Sequence, residues 1–582
     1  MAHHIQNIGS PEPDETCTGC YPLILCSLCL ILCASVYLAS TRGLTETLEA
    51  ESAEIAREFV EGASFLINHL NGQEDLDKPP LFYWTIALSS TITPNWELAA
   101  RLPSLFSTCL ILLLFVRIGE LLDSRTLAAI SSLVFLSNIK VFWMSQIARI
   151  DMSFSATCFF AIYALFQFAK EQEKTAGGAV AQTIKVPWKF FLAAAVSVML
   201  KGPVGAILIF CPALLFLALE GRWHLIKEVF FGRGMILFLT LTVPWFVAAS
   251  IETNGRFFHR FFLEENLSRF TDLIPGGTYK EFNYSPLYTY PVYFLTGFFP
   301  WSIIAPLWLL EAFQKRSSLD ALSKLLLLYV CFIFVFFSIA IAKRSDYILP
   351  AYPAAALLTA RYLMGKKGKK IMRAVSVLTF GLLISIGALA LLGASCVKYL
   401  GPEAVASLFK GAGRPEIVML SINLLGKNLF PCLILFSVSL SGLVSLLKKK
   451  DQDTLLKMFA IYGLHMGLVF LLAGFVFLPE VYKQKEAKTF CKNLDSIVDG
   501  EPLFYFDFWD EECTFYLHRR IMRISLEDIE KRVKEGKIFY LIVEKRGLEQ
   551  LNRHGIRFKF VFRKNSPALR PLFLVSNSLP AP

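Results

Sequence analysis

From residue 22 onward the chain alternates long apolar runs with short polar breaks. The runs fall at 22–40, 98–122, 126–145, 151–169, 188–201, 203–220, 234–251, 285–311, 321–342, 346–363, 372–396, 423–447 and 456–479. A helix of about 20 apolar residues crosses the hydrocarbon layer, so the pattern predicts an α-helical polytopic membrane protein of roughly thirteen transmembrane helices. The first run follows a polar tail (1–21), lacks a small-residue cleavage site and reads as an uncleaved helix. Segment 80–96 breaks the rhythm. It carries Pro79, Pro80 and Pro94 at its edges and a polar SSTIT stretch, and reads as interfacial.

Two polar regions flank or follow these spans. In the first, 41–97, Leu48, Ile55, Phe59 and Val60 recur at helical spacing among Glu49, Glu51, Glu54, Arg57 and Glu58, which predicts an amphipathic helix. The second, 487–582, follows the transmembrane region (22–486). Its stretches 502–508, 537–543 and 557–562 read as strands and 525–536 and 546–554 as helices, an alternation that predicts a small α/β domain.

Charge supplies an orientation. The basic breaks GKKGKK (365–370), KKKDQD (448–453), FQKRSS (313–318) and 221–234 belong on the cytoplasmic side. Counting spans from them puts the N-terminal tail inside and the C-terminal domain outside. The same count brings 41–97, Asp151, Lys201, 252–284 and Lys343 to Asp346 to the outer face. Lys343 and Arg344 are cations on the wrong side for that rule and call for an anion, either Asp346 or a bound phosphate.

Composition agrees: 55% of the 582 residues are hydrophobic, 52 are Phe, and only 18% are charged. The net charge of +11 sits in the short breaks between spans, so topology accounts for it and nucleic acid is not implied as a partner. Most of the thirteen cysteines, Cys26, Cys29, Cys33, Cys109 and Cys158 among them, lie in apolar runs as small hydrophobes. Cys17 and Cys20 form a lone C-x-x-C. Cys491 and Cys513 lie in the outer domain and are free to pair in an oxidising compartment, which sequence alone does not settle.

The densest chemistry is EDLDKPPLFYW (74–84): acid, Lys78, a rigid Pro-Pro corner and three rings at a membrane surface. Asp151, at the mouth of an apolar run, needs a partner: a ligand or Arg149.

The ordered set AEIAREF (53–59), LNG (70–72), DKPPLFYW (77–84), ARID (148–151), LKGP (200–203), FFLEENLSRF (261–270), GFFPW (297–301) and KRSDYILPAYP (343–353) resembles the GT-C integral-membrane glycosyltransferases. It is most similar to the branch with the lipid A aminoarabinose transferases and the protein mannosyltransferase-like enzymes. The resemblance implies an inverting transfer of sugar from a polyprenyl-phosphate donor to a lipid A-like or other envelope acceptor at the outer face of the inner membrane, with the site and the C-terminal domain on the periplasmic side. Membrane lipids are then partners too, and no organic cofactor is used.

Residue by residue, the resemblance implies a catalytic base at Glu49, with Glu51 second. The family's Asp-Glu pair reads Leu48-Glu49 here, and its Arg-Tyr reads Glu51-Ser52. Lys78, Arg269, Tyr347, Lys343 and Lys201 are the expected donor-phosphate ligands, although a snorkelling Lys201 is an equal reading. Asp77 and Asp151 match positions linked to a divalent metal ion. Glu265 keeps its family position, but Asn266 replaces a common His, which favours a hard cation or none. Two other readings stay open: a transporter or flippase, against which the polar residues gather at one face rather than at mid-membrane, and a GT-C fold that has lost catalysis.

Overall fold

In a computed structural model of the chain, the described residues are 19–45, 47–176, 186–269, 286–401, 404–405, 429–448, 454–485, 487–508, 511–556, 558–563 and 572–577. They form a helical bundle with a small mixed α/β unit at one end.

Helix α1 (Cys20–Thr41) is apolar on every side, as a helix surrounded by lipid and protein should be. It packs along Leu455–Leu472 and the short helical turn after it, where the small residues Gly467 and Gly474 let the backbones approach against Leu30 and Ala34. The chain then leaves the bundle as α2 (Thr47–Val60), a two-residue-turn hairpin of β1 (Asn68–Leu70) and β2 (Gln73–Asp75), and the short α3 (Leu81–Ser90). Ten residues give α3 a length of about 15 Å, half of what a crossing requires. The segment therefore does not span, in line with its polar and proline content.

The chain re-enters through α4 (Trp96–Leu121), whose first turn is capped by Asn95 accepting from the Leu98 N–H at 2.8 Å. Helices α5 (Arg125–Leu136) and α6 (Ile139–Ser145) follow, bent by 77° at the Ser137-Asn138 break. Then come α7 (Ile150–Ala176), α8 (Trp188–Lys201) and α9 (Pro203–Leu219). Gly202, at φ +83°, separates the last two, and Pro203 starts the new helix.

The rest of the bundle comprises α10 (Trp223–Phe231), α11 (Arg233–Glu252), α12 (Thr289–Gly297), α13 (Ala305–Gln314), α14 (Ala321–Ile339), α15 (Ala351–Leu363) and α16 (Gly368–Leu400), then Leu429–Leu447 and Leu455–Leu472. Among the described residues eight helices are long and apolar enough to cross a membrane, nine if the bent α5–α6 pair is one span. The polytopic helical fold is as expected, and several of the thirteen apolar runs form helices shorter than that or are divided. The run 285–311 is broken into α12, a 3-10 turn and α13, while α8, α9 and α15 have 14, 17 and 13 residues. Pro and Gly inside or between these apolar runs end the helices early.

The outer unit is a five-stranded sheet in the order β4-β3-β5-β7-β6, made of β3 (Leu503–Phe506), β4 (Met522–Arg523), β5 (Tyr540–Glu544), β6 (Lys559–Arg563) and β7 (Leu572–Ser576). Strands β3, β4 and β5 run parallel, and β7 joins antiparallel. Helices Lys488–Val498, Glu511–Leu517, Leu526–Lys534 and Lys545–Arg553 accompany it, with separate apolar clusters built around Ile542 and Leu541 on alternate sides of β5. Cys491 and Cys513 form a disulfide that ties the first two of these helices together. Cys17 lies outside the described residues.

Candidate active site

Five helix ends meet where the chemistry gathers: the C-terminal ends of α1, α8 and α14 and the N-terminal ends of α4 and α7. The polar chains at this end form three linked groups.

The first is a buried arginine-carboxylate knot. Glu49 Oε1 accepts from Arg42 Nη2 at 3.0 Å, Arg101 Nε at 2.8 Å and the Ala148 N–H at 2.9 Å, while Oε2 accepts from Arg101 Nη2 at 3.0 Å. The Glu49 side chain has no exposed surface. Burial alone would raise its pKa, but the two guanidiniums and the Ala148 amide hold it down to about 2. The first-choice base of the sequence reading is thus placed as a pillar joining α1, α2, α4 and the loop before α7, with both oxygens engaged.

The second group is built on the loop between β2 and α3. Lys78 Nζ stands 3.4 Å from Glu51 Oε1, so Lys78 and the second candidate base are brought together. Asp77 Oδ1 accepts from Arg260 Nε at 2.7 Å, and Arg260 also reaches Glu264 at 2.8 Å and Glu265 at 3.4 Å. Beside them Asp75 Oδ2 is buried without a hydrogen-bond partner among the described residues. Burial pushes the Asp75 carboxyl up to about 7 against the pull of Lys78, with Asp77 and Glu51 adding repulsion. A cavity of about 510 Å³ opens here, lined by Gln73, Asp75, Asp77, Arg256, Arg260 and Glu264 among others.

The third group joins α6, α7, α8 and the turn before α15. Lys201 Nζ lies 2.5 Å from Asp151 Oδ1 and sits 5.1 Å from the centre of the Tyr347 ring and 5.0 Å from that of Phe154. Asp151 therefore pairs with Lys201. Arg149 goes to Asp346 instead, at 2.6 Å, and Lys140 shares that carboxylate while donating to Ser345 at 3.0 Å. Lys343 Nζ donates to the Ala340 carbonyl at 2.7 Å. The Arg269 side chain lies outside the described residues.

Adjacent residues connect the second and third groups. Residues 258–266 form a single π-helical stretch in which Arg260 holds Asp77 and Phe261 buries its ring against Gly202, next to Lys201. A side chain at Gly202 would collide with that ring. Lys78 and Lys201 thus belong to one assembly.

The residues linked to a metal do not fit one. Asp77 is held by a guanidinium and Asp151 by an ammonium, and no group of three or more His, Cys, Asp or Glu is placed to bind a metal ion among the described residues.

Sequence reasoning passed over Arg42, Arg101, Lys140, Arg260 and Asp75. For Arg101 and Lys140 a signal was present: each is a charge inside an apolar run, where an unpaired charge is costly. Arg260 offered none, because its partner Asp77 is 183 positions away.

Residues 77–247 match the family model described as dolichyl-phosphate-mannose-protein mannosyltransferase. An undecaprenyl phosphate-alpha-4-amino-4-deoxy-L-arabinose arabinosyl transferase of Enterobacter sp. (strain 638) is 28% identical over 326 residues, covering 55% of this chain and 56% of the relative. Its counterpart in Yersinia enterocolitica is 28% identical over 396 residues, 65% of this chain and 67% of the relative. The match thus spans little more than half the length of the first relative. The crystal structure of ArnT from Cupriavidus metallidurans bound to undecaprenyl phosphate superposes with a TM-score of 0.73 over 96% of this chain and 97% of that one, at 18% identity.

The chain has the GT-C fold.

The motif resemblance and the whole-chain superposition therefore agree. In GT-C terms the helical bundle and the outer α/β unit are both accounted for, since the superposition includes nearly all of each chain. The protein is an integral membrane protein.

Proposed function

We propose that this GT-C protein is an inverting glycosyltransferase that moves a sugar from a polyprenyl-phosphate donor to a lipid A-like or other envelope acceptor. The observation that carries the reading is the joined pair of groups at one end of the bundle. There a carboxylate, Glu51, stands beside Lys78, and Lys201 and Tyr347 are linked to them through residues 260 and 261. The names of the sequence relatives, arabinosyl transferases using an undecaprenyl-phosphate sugar, point the same way.

In this reading Glu51 takes the proton of the acceptor hydroxyl as its oxygen attacks the anomeric carbon from the face opposite the phosphate. The bond between that carbon and the phosphate oxygen breaks, and the charge left on the lipid phosphate is stabilised by Lys78 and Lys201, with Tyr347 and Lys343 completing the cradle. Glu51 replaces Glu49 as first choice because Glu49 has both oxygens engaged. No step is routed through a metal.

The membrane is the inner membrane, with the site and the α/β unit on the periplasmic side. The basic stretch at Lys366–Lys370 supports this, since it lies beyond the far end of α15, away from Asp346.

A transfer assay on membranes tests the activity. Parent protein should convert a cell lipid extract to a glycosylated product detectable by mass spectrometry, and Glu51→Gln and Lys78→Ala should not. Orientation is tested by labelling intact cells: Glu74→Cys should react with an impermeant maleimide and Lys366→Cys should not. The reverse pattern overturns the topology.

A further inference from the structure

The outer α/β unit reaches back onto the loop that carries the active-site residues. Asn71 and Ile521, 450 positions apart, exchange two hydrogen bonds: Asn71 Nδ2 donates to the Ile521 carbonyl at 2.7 Å, and the Ile521 N–H donates to Asn71 Oδ1 at 3.1 Å. Asn71 is 2% exposed and sits at φ +56°, the left-handed region that Asn tolerates. Next to it, the Gly72 N–H donates to Glu58 Oε1 at 2.8 Å, and a Cβ on Gly72 would lie 2.5 Å from the Arg520 guanidinium carbon.

The same seam continues along α2. Arg57 Nη1 donates to the Phe515 carbonyl and to His518 Nδ1, both at 2.8 Å. Tyr516 Oη accepts from the Leu44 N–H at 2.7 Å and donates to Glu97 at 3.3 Å. Helix Glu511–Leu517, which supplies most of these contacts, is anchored in turn by the Cys491–Cys513 disulfide.

Every anchor on the receiving side lies in 44–97, the stretch that holds Glu51, Asp75, Asp77 and Lys78. Its start is tied to α1 and α4 through Glu49 and its far side to Arg260 through Asp77, whereas the hairpin between them has little means of holding itself. Strands β1 and β2 have three residues each, and a lone two-stranded hairpin is marginal in water. Helix α2 has 14 residues, near the lower limit for an isolated helix.

We infer that the C-terminal α/β unit is a positioning part of the active site: its Phe515–Ile521 segment fixes α2 and the β1–β2 hairpin, and through them the placement of Glu51 against Lys78, with Asn71 as the central positioning residue. The inference deepens the transferase reading and rests on it for its catalytic consequence, though the clamp itself is independently measurable.

The test uses full-length protein in detergent-lipid micelles, with total lipid extract from the producing cells as source of donor and acceptor. Asn71→Gly removes both hydrogen bonds without straining the left-handed backbone. It should lower kcat about tenfold to thirtyfold, with KM for the donor lipid changed by less than about twofold, while Asn71→Asp, which keeps the acceptor oxygen, falls between. In parallel, amide exchange across Leu44–Lys78 should quicken about tenfold or more in Asn71→Gly, with α4 and α7 unchanged. Unchanged exchange across Leu44–Lys78 overturns the inference, as does parental kcat in a folded Asn71→Gly. If the parent forms no product while exchange responds as expected, the transferase reading fails and the clamp stands.

Discussion

Arg101 grips Glu49 at two points, Nε to Oε1 at 2.8 Å and Nη2 to Oε2 at 3.0 Å, and neither side chain has any exposed surface. Such a pair holds a helix end in place. Glu51, two positions along α2 and partly exposed, faces Lys78 instead.

The two glutamates should therefore fail differently. Glu49→Gln leaves two buried arginines without their counter-charge, and breaking a buried pair costs about 3–5 kcal/mol. The expected outcome is a lower Tm and poor recovery from membranes. Glu51→Gln should keep the parental Tm and lose turnover by about a hundredfold or more, as expected for a missing general base. Thermal melts in detergent beside the transfer assay separate the two, and a fully active Glu51→Gln would sink the assignment of the base.

Asp151 and Lys201 offer a second contrast. Asp151→Asn leaves Lys201 without its charge partner yet still stacked near Tyr347 and Phe154, whereas Lys201→Met removes the cation itself. Lys201→Met should weaken use of the donor lipid about tenfold or more, and Asp151→Asn should act mainly on stability. Steady-state kinetics against donor concentration distinguish them.

Stability should also depend on pH through Glu54. Its Oε2 is buried without a hydrogen-bond partner among the described residues, and burial raises its pKa from 4.5 to about 7, aided by Glu58 and opposed by Arg57. The unfolded chain releases this proton near pH 4.5 while the folded chain keeps it to about 7. The contribution of the protonated carboxyl is thus present below the lower value and is lost as pH rises through the window. Melting at pH 5 and pH 8 should show a larger drop in the parent than in Glu54→Gln; equal drops would contradict the assignment.

Gly202→Ala should be severe. The residue sits at φ +83° and a Cβ would meet the Phe261 ring, so left-handed strain and overpacking together cost about 2 kcal/mol or more. A Tm lowered by several degrees, together with weakened donor use, is the expected result.

The bundle was legible because spanning helices have a length and composition that little else shares. What the sequence did not disclose was where the spans break. The run through Gly297 to Ala305 stays largely apolar across Pro300, and the helix stops and restarts there. The motif residues Asp77, Lys78, Asp151, Lys201 and Tyr347 stood out by type and place, whereas Arg260, the partner of Asp77, did not. Arg260, Lys140 and Arg101 act on residues 183, 206 and 52 positions away, and a lone chain carries no mark of such pairings. Of the two cations beside the aspartates, Lys201 lay in a motif of its own and Arg260 did not.

The seam between Asn71 and Ile521 also has a meaning in time. A ribosome delivers residue 71 long before residue 521, and the intervening helices must be inserted in between. The first outer loop, already tied to the bundle through Glu49, therefore lacks its last fastening until almost the whole polypeptide has been made. Interrupted synthesis would yield a membrane-inserted bundle whose earliest-made loop has never been closed.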